Sequence, residues 1–252
     1  MKIVPIAAFS DNYVWLMQRG SLAAIVDPGD HVPVLAALKR LGLDLAAILL
    51  THHHADHIGG VAELKRRYDP LVFGPDDARI PEYAVRVGEG DRARLDNMGL
   101  SFDVLEVPAH TRSHIAFFGH GMVFSGDTLF SIGCGKLFEG TPGQMQAAMD
   151  KLAALPATTK VYCGHEYTAS NCVFALKVEP QNDALKKRYS EVRELRSRGK
   201  ASLPSTIGDE IAANPFMRTR CESVVRAAQK RSPGVQAGAE TLGVIRHWKD
   251  QG

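Results

Sequence analysis

One short stretch of the chain carries residue types that bind metal ions, in the order His52, His53, His54, Asp56 and His57. Side chains alternate between the two faces of an extended backbone, so His52 and His54 point the same way and can share one ion, whereas His53 points oppositely. Asp56 and His57 come after the chain has begun to turn, and they can hold a second ion close by. The spacing therefore predicts a two-metal site.

The H-x-H-x-D-H stretch lies between a predicted strand and a predicted helix. The apolar run at residues 45–50 is typical of a buried strand, and residues 58–68 carry a helical pattern. Another interpretation makes Asp56 a simple helix cap and leaves the histidines on the surface. Only 10 of the 252 residues are histidine. The spacing is therefore rare by chance, which favours the metal site.

Three further strand-like runs each end at a residue that can bind a metal. They begin near residues 100, 121 and 160, and they are followed by His110, Asp127 and His165. Taken singly, these three residues could be a core histidine, a turn residue and a helix-start residue. Together with the H-x-H-x-D-H stretch they make seven ligands, which suit two ions, one bridging carboxylate and an open position for water. His114 is a candidate to orient His110.

The rest of the chain supplies the elements that position these residues. Strands are predicted at 3–9, 13–18 and 22–26, followed by a helix at 32–41 that stops at Gly42. A capping box at Thr141 and Gln144 starts a helix that runs to residue 155. After His165 only helical patterns remain, at 169–178, 183–198, 222–230 and 237–249. We therefore predict two domains, 1–168 and 169–252.

Composition and charge limit the classes of partner. No apolar run approaches the roughly 18 residues of a membrane helix, and the N-terminus has no signal-peptide pattern. The four cysteines show no paired spacing, so reduced thiols are expected. We expect a monomeric, cytoplasmic protein that binds a small molecule, with neither a membrane nor nucleic acid as a partner.

The two predicted domains differ in charge. Residues 1–168 hold 15 Lys and Arg against 19 Asp and Glu, a balance of −4. Residues 169–252 hold 15 against 9, a balance of +6. A basic C-terminal part suits an anionic substrate or nucleic acid. The alternative is that these Lys and Arg residues are simply exposed to solvent on helix surfaces.

Several motifs together resemble a known family. The H-x-H-x-D-H stretch with His110, Asp127 and His165 resembles the metallo-β-lactamase superfamily. Within that superfamily the chain is similar to the glyoxalase II family, the hydroxyacylglutathione hydrolases, over nearly its full length. The motifs that carry this similarity are Gly133-Cys134-Gly135-Lys136-Leu137-Phe138-Glu139-Gly140-Thr141, Tyr162-Cys163-Gly164-His165-Glu166-Tyr167-Thr168, Asn214-Pro215-Phe216-Met217-Arg218 and Arg246-His247-Trp248-Lys249-Asp250.

The resemblance implies a fold and a ligand set. The implied fold is α/β, an αββα sandwich of two mixed sheets with flanking helices and the metals at one edge, plus a small all-helical C-terminal domain. The implied ligands of the first ion are His52, His54 and His110. The implied ligands of the second ion are Asp56, His57 and His165, with Asp127 bridging the two. Zinc is expected, with iron and manganese as alternatives.

The resemblance also implies how the substrate binds. Glutathione would contact Lys136, Phe138, Tyr167, Arg246 and Lys249. The family often has Tyr where this chain has Phe138, so one hydroxyl contact is missing here. Arg246 and Lys249 are three residues apart on a predicted helix and share a face, which allows them to converge on one anion. The alternative is that both cations are the solvated end of a terminal helix, where they complement its dipole.

The implied reaction is hydrolysis of S-D-lactoylglutathione and other 2-hydroxyacyl-glutathione thioesters, the second step of methylglyoxal detoxification. Asp56 and Asp127 would act in catalysis through a hydroxide held between the ions, whose formation the metals favour. Alternatives within the superfamily are a lactonase, nuclease, β-lactamase or other thioesterase, or a one-iron persulfide dioxygenase. Outside enzymes, the alternative is a structural metal site, which would normally use Cys and His, not His and Asp.

Overall fold

The structure is a computed structural model that describes all residues from 1 to 252. Its helices are α1 (His31–Leu41), α2 (Ala55–Ile58), α3 (Val61–Tyr68), α4 (Pro142–Ala153), α5 (Thr168–Val178), α6 (Asp183–Ser197), α7 (Ile207–Ala213), α8 (Glu222–Gln229) and α9 (Ala239–Asp250). Its strands are β1 (Lys2–Ala8), β2 (Asn12–Arg19), β3 (Leu22–Val26), β4 (Asp44–Leu49), β5 (Leu71–Gly74), β6 (Val85–Arg86), β7 (Arg92–Leu95), β8 (Leu100–Glu106), β9 (Ile115–Gly119), β10 (Met122–Gly126), β11 (Leu129–Phe130), β12 (Gly133–Cys134), β13 (Lys160–Cys163) and β14 (Ser205–Thr206).

The chain divides into two compact units. The first unit comprises residues 1–106 and 113–126, and the second comprises residues 107–112 and 127–252. The first unit contains β1 to β10 and α1 to α3, whereas the second contains the remaining elements. The domain boundary expected near residue 168 stays a prediction.

The first unit is built on a six-stranded mixed sheet in the order β1-β2-β3-β4-β5-β6. The strands β1, β2 and β3 pair antiparallel, and β3 to β6 pair parallel. Both faces of β2 are buried: Val14 and Leu16 belong to the core cluster that includes α1 and α3, while Trp15 and Met17 are buried on the opposite face. The sheet is therefore covered on both of its faces at this strand.

Local sequence signals explain the helix α1. The Asp30 side chain accepts a hydrogen bond from the Val32 amide at its start, and Gly42 ends it in the left-handed conformation. Val34 and Leu38 lie one turn apart on its buried face. The predicted helix at 32–41 and its stop are therefore confirmed.

The helix predicted over residues 58–68 is only partly right. The structure has a one-turn helix α2 and a separate helix α3, with Gly59 and Gly60 between them. Two consecutive glycines favour a break because they lose the most backbone entropy in a helix. The break leaves His57 on the short helix next to the extended segment that carries His52 and His54.

A second group of strands in the first unit is antiparallel, with β7, β8, β9 and β10 adjacent in that order. In β8, Leu100, Phe102 and Val104 are buried while the residues between them are half-exposed, as the alternation predicts. The whole of β10 is buried. Its buried end leads directly to Asp127.

The second unit is mainly helical. A hairpin of β11 and β12 and an antiparallel pair of β13 and β14 are its strands. The predicted capping box is present at the start of α4, where Thr141 accepts from the Gln144 amide and Gln144 accepts from the Thr141 amide. Helices α5, α6, α8 and α9 begin and end within two residues of their predicted bounds. None of the helices in the structure is both long and apolar enough to cross a membrane.

Candidate metal centre

The first group of candidate ligands lies in the first unit, just beyond the buried end of β4. His52 Nε2 is 3.1 Å from His54 Nδ1, so the two rings present nitrogen atoms to the same point. His53 lies differently, with its Nδ1 3.8 Å from Asp77 Oδ2. The buried ring of His114 stacks on His52, with centroids 4.6 Å apart. Packing on that side fixes the plane of the His52 ring.

Asp27 orients His57 within the same unit. The buried Asp27 carboxylate lies 3.0 Å from His57 Nδ1, and it also accepts hydrogen bonds from the amide and hydroxyl of Thr51. A proton on Nδ1 satisfies the carboxylate, which leaves the Nε2 lone pair available for a ligand. That Nε2 atom is 3.5 Å from Asp56 Oδ2. Asp27 therefore fixes the ring, and Asp56 lies on its Nε2 side.

Asn12 holds Asp56 in place. The Asn12 side chain is buried, and its Nδ2 donates to Asp56 Oδ2 at 2.9 Å. This hydrogen bond restricts the rotation of the carboxylate group. Neither Asn12 nor Asp27 was predicted from the sequence to take part in the site. The available signal was their position beside turns at the ends of the predicted strands at 13–18 and 22–26.

The second group of candidate ligands lies in the second unit. Asp127 Oδ2 is 3.6 Å from His110 Nε2 and 3.2 Å from His165 Nε2. The three side chains are all buried. His110 Nδ1 is 3.0 Å from the carbonyl oxygen of Lys136, which only accepts hydrogen bonds, so the proton belongs on Nδ1 and the lone pair on Nε2. One carboxylate oxygen thus faces two imidazole nitrogens.

The chemistry of both groups fits divalent metal ions. Zinc bonds of about 2.0 to 2.2 Å in a tetrahedral shell place neighbouring ligand atoms roughly 3.3 Å apart. The measured separations in the two groups run from 3.1 to 3.6 Å. Neutral imidazoles and carboxylates suit zinc, iron and manganese. The His and Asp side chains can therefore hold a metal ion.

A cavity of about 400 Å³ lies beside His110 in the second unit. Phe138 is 63% exposed, lines this cavity and makes an edge contact with the His110 ring at 5.2 Å between centroids. The cavity is lined by Lys136, Leu137, Phe138, Gly243, Arg246, His247 and Asp250. The lining holds the basic residues Lys136 and Arg246, one carboxylate, Asp250, which pairs with Arg246, and an aromatic ring. This set suits an anionic molecule with an apolar part.

The structure separates the five residues expected to bind glutathione. Lys136, Phe138 and Arg246 line the cavity, whereas Tyr167 and Lys249 are outside its lining. The Tyr167 ring stacks on His165, with centroids 4.7 Å apart and planes at 7°. Tyr167 is therefore placed to fix the His165 ring. Whether these five residues contact substrate stays a proposal.

Arg246 and Lys249 are not the solvated end of a helix. Arg246 is 4% exposed, donates to the Cys134 carbonyl oxygen and pairs with Asp250, both at 2.8 Å. Lys249 donates to Asn171 Oδ1 and lies 5.9 Å from the centre of the Phe174 ring. Burial and the nearby Arg246 charge lower the pKa of Lys249 to about 8. Both cations are packed within the second unit.

The four cysteines are free thiols, as expected. Cys134, Cys163 and Cys172 are buried, and burial raises the pKa of Cys163 and of Cys172 to about 12. A thiol with so high a pKa is a poor nucleophile at neutral pH. Cys163 and Cys172 therefore act as small core residues.

Comparisons with known proteins assign the chain to a class. Residues 8–165 match the family model described as the metallo-beta-lactamase superfamily, and residues 166–252 match the one described as the hydroxyacylglutathione hydrolase C-terminus. The chain is 49% identical over 254 residues to the hydroxyacylglutathione hydrolase of Xanthomonas euvesicatoria pv. vesicatoria (strain 85-10), covering 100% of this chain and 99% of that protein.

Solved structures share the fold. The crystal structure of ETHE1 from Myxococcus xanthus has a TM-score of 0.67 at 24% identity, covering 100% of both chains. The crystal structure of TTHA1623 in a di-iron-bound form has a TM-score of 0.61 at 27% identity, covering 86% of this chain and 100% of that one. The ETHE1 likeness concerns the fold alone.

The fold and the His and Asp groups define a protein of the metallo-β-lactamase superfamily, with two mixed sheets, flanking helices and a helical C-terminal region. The full-length similarity narrows the assignment. The chain belongs to the hydroxyacylglutathione hydrolase family, which is the glyoxalase II family that the sequence motifs indicated.

Proposed function

We propose that the chain hydrolyses S-D-lactoylglutathione, and other 2-hydroxyacyl-glutathione thioesters, to D-lactate and glutathione. The observation that carries this proposal is the cavity beside His110, because its cations Lys136 and Arg246 suit the carboxylates of glutathione. The similarity to a relative named hydroxyacylglutathione hydrolase supports it.

We further propose that the protein acts as a monomer in the cytoplasm, with residues 1–168 as catalytic domain and 169–252 as substrate-binding domain.

We propose that the two ligand groups together hold two divalent ions. The ligands of one ion would be His52, His54 and His110. The ligands of the other would be Asp56, His57 and His165, with Asp127 shared by both. Such ions supply Lewis acidity, which lowers the pKa of water and polarises a thioester carbonyl. Zinc is the expected metal, and iron and manganese suit the same donors.

The side chains of this protein prepare the site for that chemistry. The Asp27 carboxylate and the Lys136 carbonyl keep the protons of His57 and His110 on Nδ1, so that each Nε2 offers its lone pair. Asn12 holds the Asp56 carboxylate. A thiol has a pKa near 8.5, so glutathione can leave as a thiolate without a strong general acid.

The function is tested by assaying hydrolysis of S-D-lactoylglutathione before and after removal of metal with a chelator. We expect turnover in the metal-loaded protein, loss after chelation, and recovery when zinc, iron or manganese is restored. A metal-loaded protein without thioesterase activity would refute the proposal. Activity that survives complete metal removal would refute the role of the ions.

Substitution of Lys136 tests the cavity. Because a charge-assisted contact is worth about 1.5 to 3 kcal/mol, Lys136→Ala should raise KM for S-D-lactoylglutathione by roughly 10- to 150-fold. The S-lactoyl thioester of 2-mercaptoethanol lacks the carboxylates and should be indifferent to the change. Lys160→Ala, at another exposed lysine, is the control and should leave both substrates unaffected. Equal effects of Lys136→Ala on both substrates would contradict a role in recognition.

Lys249 provides a test of anion binding by pH. Its pKa of about 8 leaves a large neutral fraction at pH 8.5, and a bound carboxylate would raise that pKa again. Binding of S-methylglutathione should therefore take up a fraction of a proton at pH 8.5 and much less at pH 6.5. Calorimetry in two buffers of different ionisation enthalpy measures this uptake. Lys249→Met should remove the part of the proton uptake that comes from Lys249. Identical proton uptake in the parent and in Lys249→Met would show that Lys249 is remote from the anion.

A further inference from the structure

Side chains from the second unit bind the backbone of the turn between β11 and β12. We call residues 130–134 the turn segment. Four side chains bind its backbone, and we call them the anchor residues: Asn171 on α5, Glu210 on α7, Asn214 directly after α7, and Arg246 on α9. They come from three helices and their ends, and they converge on five consecutive residues.

Each anchor residue satisfies a backbone group of the turn segment. Asn214 Nδ2 donates to the carbonyl oxygens of Phe130 at 3.2 Å and Gly133 at 3.0 Å. Asn171 Nδ2 donates to the Ser131 carbonyl oxygen at 3.0 Å. These two amides therefore hold three of the four carbonyl groups from Phe130 to Gly133, all but that of Ile132.

The other two anchor residues, Glu210 and Arg246, bind the backbone of Ile132 and Cys134. Glu210 Oε2 accepts from the Ile132 amide at 2.7 Å and from Asn214 Nδ2 at 3.0 Å. Arg246 Nη1 donates to the Cys134 carbonyl oxygen at 2.8 Å. All four anchor residues are at most 4% exposed. Buried polar groups gain most from such bonds because water cannot replace a lost partner.

The conformation of the turn segment needs this support. Ile132 has φ of +59°, a left-handed conformation that is a genuine outlier for a β-branched residue. Such a strained conformation persists only where the surroundings impose it. Here the left-handed conformation of Ile132 is imposed by the hydrogen bond from its amide to Glu210 and by the hydrogen bonds to the carbonyl groups on both sides.

The turn segment leads directly to the backbone that orients His110. Gly135 follows, and a Cβ atom there would lie 2.0 Å from the Asp127 carbonyl oxygen and 3.0 Å from His110 Nδ1, so only glycine fits. The carbonyl oxygen of Lys136, the next residue, lies 3.0 Å from His110 Nδ1. A shift of the turn segment would therefore move the partner of His110.

We propose that the anchor residues are positioning residues for the metal centre: they hold the turn segment so that the Lys136 carbonyl fixes the His110 ring and its Nε2 lone pair. This inference rests on the proposed function in taking His110 as a metal ligand. It gives Arg246 a task that is independent of glutathione, and it assigns Asn171, Glu210 and Asn214 to the metal centre although none of them is a ligand.

The test compares Glu210→Met, which removes the acceptor, with Glu210→Gln, which keeps one. Asn171→Ala is the second variant, in case Glu210→Met does not fold. Thr241→Val is the matched control, because it removes a buried hydrogen bond on α9 that does not touch the turn segment. The measurements are the zinc dissociation constant by chelator competition and amide hydrogen exchange of residues 130–136 in the zinc-loaded protein.

Outer-shell partners of metal ligands typically contribute 10- to 100-fold in metal affinity. We expect a loss of about that size in Glu210→Met and Asn171→Ala, with faster exchange at residues 130–136. Glu210→Gln and Thr241→Val should stay near the parent. Parental zinc affinity in both anchor variants, or a loss no greater than that of Thr241→Val, would overturn the inference. A parent that binds no zinc would refute the proposed function itself, and with it this inference.

Discussion

Replacing His54 or Asp127 with alanine should lower metal content and reduce turnover of S-D-lactoylglutathione by on the order of a thousandfold, because Lewis-acid stabilisation is worth several kcal/mol. A ring nitrogen of His54 lies beside one of His52, and the Asp127 carboxylate lies close to both His110 and His165. Either change removes a ligand atom that no neighbour replaces. Metal analysis and steady-state rates on the same preparations measure the effect, and circular dichroism checks the fold.

His53→Ala is the internal control for this experiment. His53 lies in the same stretch and is the same residue type, but its Nδ1 lies 3.8 Å from the Asp77 carboxylate. It should keep its metal and most of its turnover. Full metal content and near-normal rates in both His54→Ala and Asp127→Ala would refute the ligand assignment. Equal losses in His53→Ala would mean that the stretch acts through folding alone.

The sequence was sufficient to predict that His52 and His54 point to the same side, because this depends only on local backbone geometry. Residues two apart on an extended backbone share a side. The structure places a nitrogen of His52 3.1 Å from a nitrogen of His54, while His53 Nδ1 lies 3.8 Å from Asp77 Oδ2. The helices α1 and α4 were predictable for the same reason, since their caps are local signals.

Other features could not be read from the sequence because they depend on which elements become neighbours. Asn12 reaches Asp56 across 44 residues, and Asp27 reaches His57 across 30. Asp27 lies at the end of β3, which pairs parallel with β4, the strand before the ligand stretch. Only that pairing brings the carboxylate to the Thr51 amide and the His57 ring. No spacing in the sequence encodes it.

In the C-terminal region some features were predictable from the sequence and others were not. Four of its helices followed from periodicity, but α7 was missed because seven residues are too few for a clear pattern. Its start had a usable signal, since the Thr206 hydroxyl caps the Asp209 amide. Helical spacing indicated that Arg246 and Lys249 share a face. It could not show that Arg246 is buried against the Cys134 carbonyl.

The same region contains a buried ion pair whose disruption should have the largest effect on stability. Glu179 is 3% exposed, and its carboxylate accepts two hydrogen bonds from Arg218, at 2.8 and 3.1 Å, and one from Ser223. Removal of one partner leaves a buried charge uncompensated, which typically costs 3 to 5 kcal/mol. Because the Arg218 side chain is 23% exposed, we expect Arg218→Ala to lower the free energy of unfolding by about 3 kcal/mol, measured by urea denaturation.

Arg226→Ala is the matched control, because Arg226 lines the same surface cavity as Arg218 but pairs with Glu222 where both side chains are exposed. Exposed pairs contribute little, so this change should stay within about 1 kcal/mol. A second variant identifies the cause. If the cost of Arg218→Ala comes from the unpaired carboxylate, adding Glu179→Gln should recover part of the lost stability, since the neutral amide has no buried charge. A double variant at least as unstable as the sum of its single changes would show instead that Arg218 acts through packing and its bond to the Ile211 carbonyl.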